Sequence, residues 1–333
     1  MNPWIAALSA RPWWLPALAL GAFAATAALT GPLTHWLAAR QFGKAIRVDG
    51  PQHQSKQGTP TMGGLAMLGV LLLVGMVLLA GSDPLVVGML LLGMLAFAAL
   101  GLADDMAGLA RRSGRKEAGI GLKARDMFAL QLVAALLLSL SVMRLARPQL
   151  GPEQTLSDLP LAILMTVAIM GTVNGVNLSD GLDGLAAGLL TIAFAALLAL
   201  GLGGAPAALA GAAVGACLGF LLHNRYPARV FMGNVASMGL GALLAVVAIL
   251  SGKLLLLPIV GAVFVTEVLS DLIQVGWFKW TRRRTGTGRR FFRIAPIHHH
   301  FEAIGWPETR VVRRFWLAGA SAAFVAWLFG RWL

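Results

Sequence analysis

The sequence predicts an all-helical integral membrane protein of about ten transmembrane helices, and three observations carry that prediction. Of 333 residues, 58% are apolar and only 12% charged, with a mean hydropathy of +0.76. That balance suits a chain whose solvent is lipid. The apolar residues fall in long runs divided by short polar turns. Lys and Arg gather in alternate connections between those runs.

Taken in order, the spans are expected at 14–39, 61–81, 85–103, 126–146, 159–174, 184–203, 206–223, 235–251, 254–279 and 311–331. Each is apolar over nearly the length a bilayer requires. The first is read as a span and not a cleaved leader, because Arg11 alone makes a poor basic start. Gly81-Ser-Asp-Pro84, Gly201–Pro206 and Ser251-Gly-Lys253 are turn sequences between spans. Ala, Gly and Leu dominate the spans, as close helix packing in lipid favours. We expect a single polytopic domain over residues 1–333, with no soluble domain. The one cysteine, Cys217, excludes a disulfide framework and a cysteine metal site.

Orientation follows from the cations. The segments 40–60, 104–125, 224–234 and 279–314 hold 22 of the 27 Lys and Arg. These segments are therefore expected on the cytoplasmic face, with both termini periplasmic. The net charge of +13 is mostly this bias and does not indicate nucleic acid. It also attracts anionic lipid and phosphorylated ligands.

The chemistry-bearing residues sit in the same segments. The first is Lys56-Gln-Gly-Thr-Pro-Thr-Met-Gly-Gly64, where Lys56 could meet a phosphate or a carbonyl. The third span ends in Asp104-Asp105, adjacent carboxylates whose repulsion a divalent cation would relieve. Mg²⁺ suits such oxygen ligands and often shares them with phosphates. The run Arg111–Lys116 is either a phosphate-attracting patch or ordinary cytoplasmic flanking.

Between the fifth and sixth spans lies Asn174-Gly-Val-Asn-Leu-Ser-Asp-Gly-Leu-Asp-Gly184. Asn174, Asn177, Asp180 and Asp183 are three apart, which on a helical turn puts them roughly along one face. Such side chains between two apolar spans need water, a metal or a polar ligand. Next come Asn224, Arg225, Phe231, Asn234 and Ser237, where an aromatic ring could stack on a base. Glu267 and Asp271 lie within the ninth span and are functional candidates by position. Last, Ala295-Pro-Ile-His298-His299-His300 sets three imidazoles in a row. Consecutive helical residues point different ways, so one or two would act while another packs; a histidine zinc site is the competing reading. Chemistry between a soluble phosphorylated compound and a lipid fits this layout better than transport, which places polar residues mid-span.

In this order the motifs Lys56–Gly64, Asp104-Asp105, Asn174–Leu185, Tyr226-Pro-Ala-Arg-Val-Phe-Met-Gly233 and Ala295–His300 resemble the phospho-N-acetylmuramoyl-pentapeptide transferases. These are a branch of the polyprenyl-phosphate N-acetylhexosamine-1-phosphate transferases. The resemblance runs from about Phe42 to Trp316 and implies a dimeric enzyme of the bacterial inner membrane using Mg²⁺. It would take UDP-N-acetylmuramoyl-pentapeptide and undecaprenyl phosphate and give lipid I and UMP. By resemblance Asp104, Asp105, Asp180, His298 and His299 are catalytic. Lys56, Asn174, Asn177, Gly181, Leu182, Asp183, Phe231 and His300 bind substrate, with Phe231 stacking on the uracil near Asp183.

The sequence departs from the family pattern at Gly233-Asn234-Val-Ala236-Ser237. Asn234 stands where the resemblance puts a Mg²⁺-ligating Asp, beside Asp104 and Asp105, and Ala236 where it puts a Gly. Asn keeps a carbonyl oxygen but no charge. Ile120 replaces a family Lys, for which Lys116 or Lys123 could substitute. Alternatives to an active enzyme are an impaired protein binding the same ligands, a sister transferase using UDP-N-acetylglucosamine, or a transporter.

Overall fold

A computed structural model describes residues 13–43, 56, 58–112, 122–146 and 157–330. The side chains of the Arg111–Lys116 patch, and Ile120, lie outside the described residues. The helices are α1 (Trp14–Ala39), α2 (Leu65–Leu79), α3 (Pro84–Arg112), α4 (Ala124–Ala146), α5 (Asp158–Ser179), α6 (Leu185–Ala199), α7 (Gly204–Asn224), α8 (Asn234–Leu250), α9 (Leu257–Val260), α10 (Ala262–Thr285), α11 (Ile297–Ala303) and α12 (Glu308–Gly330). The described residues contain no strand; one isolated bridge pairs Gly43 with Pro60.

The bundle is built around α8. Every residue from Val235 to Ile249 is buried. A helix that is apolar on all sides belongs in a core. It packs chiefly on α3 and α5, while α1 and α6 flank α7. Large apolar side chains such as Leu137, Leu159 and Val167 point outward, as a lipid solvent requires.

Among the described residues, six helices are long and apolar enough to cross a membrane, or seven if the bent pair is one span, by length and composition. Three shorter apolar helices, α2, α6 and α8, accompany them. The bent pair is the expected ninth span. Its pieces Leu254–Val260 and Ala262–Thr285 meet at 76°, because Gly261, at φ −96° and ψ 22°, leaves the helical region between them.

Two of the helices that outrun the spans expected from hydropathy carry candidate site residues. α3 continues past residue 103 to Arg112, so Asp104 and Asp105 lie on a helix and not at its end. α5 continues past 174 to Ser179. Hydropathy marks where a segment becomes polar, whereas the helix stops only where its backbone bonds stop.

Candidate active site

α8 begins against the acidic pair. Gly233 adopts φ 83°, a conformation glycine supplies without strain, and this turn brings the first residues of α8 to α3. Nδ2 of Asn234 donates to Oδ2 of Asp104 at 2.6 Å, and the backbone N–H of Val235 donates to Oδ2 of Asp105 at 3.0 Å. The N–H of Leu122 reaches Oδ1 of Asp104 at 2.6 Å. The two acids thus face N–H donors and a helix N-terminus, both favourable to negative charge. Asn234 is also bound from α5, since Nδ2 of Asn177 donates to its Oδ1 and to Oγ of Ser237, each at 2.9 Å.

The donor set suits a hard dication in kind. Two carboxylates meet the Asn234 side chain, whose Nδ2 faces Asp104 while its Oδ1 faces Asn177, so the hard oxygen ligands at this point are those of the two acids. The set has one charge fewer than three carboxylates would carry. Among the described residues no group of three or more His, Cys, Asp or Glu is arranged to hold a metal.

The four polar residues of the central stretch do not share one direction. Asn174 and Asn177 lie on the last turns of α5, whereas Asp180, at φ −81° and ψ 38°, caps that helix. Asn174 donates to Oε1 of Gln131 on α4 at 2.9 Å, and Asn177 faces α8. Asp183, beyond the cap, accepts from Nζ of Lys56 at 2.6 Å and from the N–H of Ala228 at 2.8 Å. The expected single face fails because the helix ends at Ser179, so helical spacing no longer governs the last two positions. Leu182 is buried in the apolar core.

Lys56 has a second carboxylate partner, Oε1 of Glu308, also at 2.6 Å. Burial works against its charge, but the hydrogen bonds and attraction of Asp183 and Glu308 outweigh that and raise its pKa above the ordinary 10.5. Lys56 is therefore a fixed ammonium. The rest of its motif is pinned to the fourth loop. Phe231 N–H donates to Pro60 O at 2.8 Å, and Gly63 N–H donates to Phe231 O at 2.9 Å. These bonds hold the half-exposed Phe231 ring between the two loops. Asn224 is a staple, accepting from Gly184 N–H at 3.1 Å and donating to Val230 O at 2.9 Å.

The three histidines of α11 diverge. His298 is fully buried and its Nδ1 lies 3.0 Å from Oε2 of Glu267, also fully buried; a carboxylate partner assigns the proton to Nδ1. His299 Nδ1 lies 2.7 Å from Oε2 of Glu302. Both reach the central loop, because a Cβ on Gly181 would collide with Nε2 of His298 and stand 3.3 Å from Nε2 of His299. His300 turns away, accepting from Arg293 N–H at 3.2 Å and meeting the Phe292 ring edge-on.

Two residues of this arrangement escape a reading of the sequence, Gln131 and Glu308. Gln131 lies in an apolar helix, where only its polarity marks it. Glu308 follows Trp306-Pro307 and looks like an ordinary acid in a first helical turn.

Comparison with known proteins places these residues in context. Residues 87–252 match the family model described as Glycosyl transferase family 4. Residues 56–68 match the Phospho-N-acetylmuramoyl-pentapeptide-transferase signature 1. The chain is 42% identical over 311 residues to the phospho-N-acetylmuramoyl-pentapeptide-transferase of Heliobacterium modesticaldum, covering 89% of this chain and 92% of the relative. It is 41% identical over 298 residues to the protein of that name from Clostridioides difficile, covering 86% and 88%. With that of Shouchella clausii it shares 38% over 334 residues, covering 96% and 99%.

Proposed function

The chain belongs to the phospho-N-acetylmuramoyl-pentapeptide-transferase family, and from that membership we propose how its residues divide the work. The protein is a membrane transferase that makes lipid I and UMP from UDP-N-acetylmuramoyl-pentapeptide and a polyprenyl phosphate. The comparisons favour this activity over a sister activity on UDP-N-acetylglucosamine, a ligand-binding relic or a transporter. We take the polyprenyl chain to be undecaprenyl, the setting to be the bacterial inner membrane and the assembly to be a homodimer. With α2, α6 and α8 counted beside the long helices, ten spans result, both termini are periplasmic and the site is cytoplasmic. The concentration of Lys and Arg in the segments around the site supports that orientation.

The observation that carries the division of roles is the meeting of Asp104, Asn234 and Asn177 within one hydrogen-bonded group. The signature segment at Lys56–Gly64 joins the same end of the bundle through Asp183 and Phe231. In the reaction an oxygen of the lipid phosphate attacks the sugar-bearing phosphorus of the donor. The bond from that phosphorus to the UMP oxygen breaks, and UMP leaves with its electron pair. Both reactants are anions, so the site must align them and offset their repulsion.

Asp104 and Asp105 carry the oxygens that would hold Mg²⁺, joined by Oδ1 of Asn234 if its amide turns from Asn177 toward them; the ion would neutralise charge on the diphosphate. One of the two acids takes the proton of the lipid phosphate. Lys56 and Asp183 form the nucleoside end, where Phe231 offers its ring to the base. Asp180, Gly181 and His299 form the wall beside the diphosphate. His298, fixed by Glu267, supports that wall, and Asn177 holds Asn234 in place. Asn174, Leu182 and His300 back the site from behind.

The test is lipid I formation by the purified full-length protein from fluorescent UDP-N-acetylmuramoyl-pentapeptide and undecaprenyl phosphate, with UMP measured in parallel. Equimolar lipid I and UMP is the expected result. Label transfer from UDP-N-acetylglucosamine instead would overturn it.

A further inference from the structure

Glu308 occupies a position that a helix-starting acid does not require. It opens α12, and its side chain is 7% exposed. A single oxygen, Oε1, accepts two hydrogen bonds from two different segments: Nζ of Lys56 at 2.6 Å and the backbone N–H of Asp183 at 2.7 Å. Nζ of Lys56 in turn reaches Oδ1 of Asp183 at 2.6 Å, which closes a ring of three residues. The other oxygen of Asp183 accepts from Ala228 N–H. Residues far apart in sequence, at 56, 183, 228 and 308, are thereby fixed to one another.

The interaction of an acid with its own helix dipole needs only proximity to the first turn. The ring needs more. The oxygen must lie within reach of an ammonium and an amide at once, and charge-assisted bonds of this kind hold geometry as well as charge. Lys56 has three N–H donors. Two go to carboxylates, so the remaining one points where the ring allows. Without Glu308 the ammonium would be tethered by Asp183 alone, and the Asp183 N–H would lose its acceptor.

We infer that Glu308 is a positioning residue of the donor site, which sets the direction of the Lys56 ammonium and the place of the Asp183 loop for the nucleotide-sugar. The inference rests on the reading of Lys56 and Asp183 as donor-binding residues. It assigns Glu308 no contact with substrate.

The experiment is steady-state kinetics of the full-length protein in detergent, with Glu308→Gln, Glu308→Asp, Lys56→Gln and the Glu308→Gln/Lys56→Gln double variant. Unfolding temperature is followed for each. Glu308→Gln keeps an acceptor oxygen but removes the charge that strengthens its bond to Lys56, and should raise the KM for UDP-N-acetylmuramoyl-pentapeptide about tenfold. The KM for undecaprenyl phosphate should stay unchanged, and Glu308→Asp should recover part of the loss. In the Lys56→Gln background, Glu308→Gln should weaken donor binding by clearly less than it does alone, because the part carried through Lys56 is already lost and only the bond to the Asp183 N–H remains. An unchanged donor KM in Glu308→Gln, or fully multiplicative single effects, would overturn the inference. So would a parallel change of both KM values with the unfolding temperature. If Lys56→Gln itself leaves the donor KM unchanged, the reading of Lys56 falls, and the route through it falls with it. Fluorescence-detected binding of UMP to the same variants repeats the comparison without turnover.

Discussion

Nδ2 of Asn234 lies 2.6 Å from Oδ2 of Asp104, so an amide donates to an acid at the one point where two adjacent carboxylates meet the start of α8. A carboxylate at 234 would place an acceptor there instead. Asn234→Asp should bind Mn²⁺ about tenfold more tightly, read by electron paramagnetic resonance of the free ion. The same substitution should lower the unfolding temperature in metal-free buffer, because three acids then face each other unrelieved. No gain in Mn²⁺ affinity would remove Asn234 from the metal-holding set.

Lys56 is the only cation in its ring with Asp183 and Glu308. Lys56→Met strands two buried carboxylates and should destabilise the protein by about 3 kcal/mol, seen in chemical denaturation in detergent. Its pKa is raised above 10.5, so the folded form holds the proton more tightly than the unfolded chain does. The stabilisation is therefore complete below pH 10.5 and fades as pH rises through the folded value. The gap between wild type and Lys56→Met should be constant from pH 7 to about pH 9.5 and shrink only above about pH 10.5. A gap that closes near neutrality would rule out this account.

Gly233 holds φ 83°, and a Cβ there would stand 2.8 Å from Met62 N and 3.0 Å from Asp105 Oδ2. Gly233→Ala should cost about 1–3 kcal/mol of stability. Because the strain falls at the residue just before α8, next to Asn234, the larger effect should be on kcat. Full activity at normal stability would show that the turn tolerates a side chain.

The histidines should separate by variant. His298 and Glu267 are both fully buried, so His298→Ala should cost several kcal/mol, on the order of 3. His299 is 20% exposed in its side chain, so His299→Ala should change stability by less than about 1 kcal/mol. Its effect should fall on turnover, by about a hundredfold. Equal loss of stability in both variants would contradict this separation.

Several residues of the candidate site can be picked out in the sequence because charge is costly in an apolar chain. Asp104, Asp105, Asp183 and His298 stand out against their surroundings, and each lies at the described end of the bundle. Glu308 was not legible, because an acid in the first turn of a helix has a sufficient local explanation. Gln131 was not, because it lies among apolar residues of α4 and its partner Asn174 is 43 residues away. The spacing of Asn174, Asn177, Asp180 and Asp183 misled for a local reason, since the helix that would align them stops at Ser179.

What the sequence determined by itself is the solvent of the protein. It follows from composition, which acts through transfer free energies that need no partner. The tertiary structure decided which polar groups face each other. It turned Asn174 to Gln131, Asn177 to Asn234 and Asp183 to Lys56 and Glu308. A hydrogen bond depends on ångström distances between groups that the chain separates by tens or hundreds of residues, and only the packing of α3, α5 and α12 around the start of α8 sets those distances.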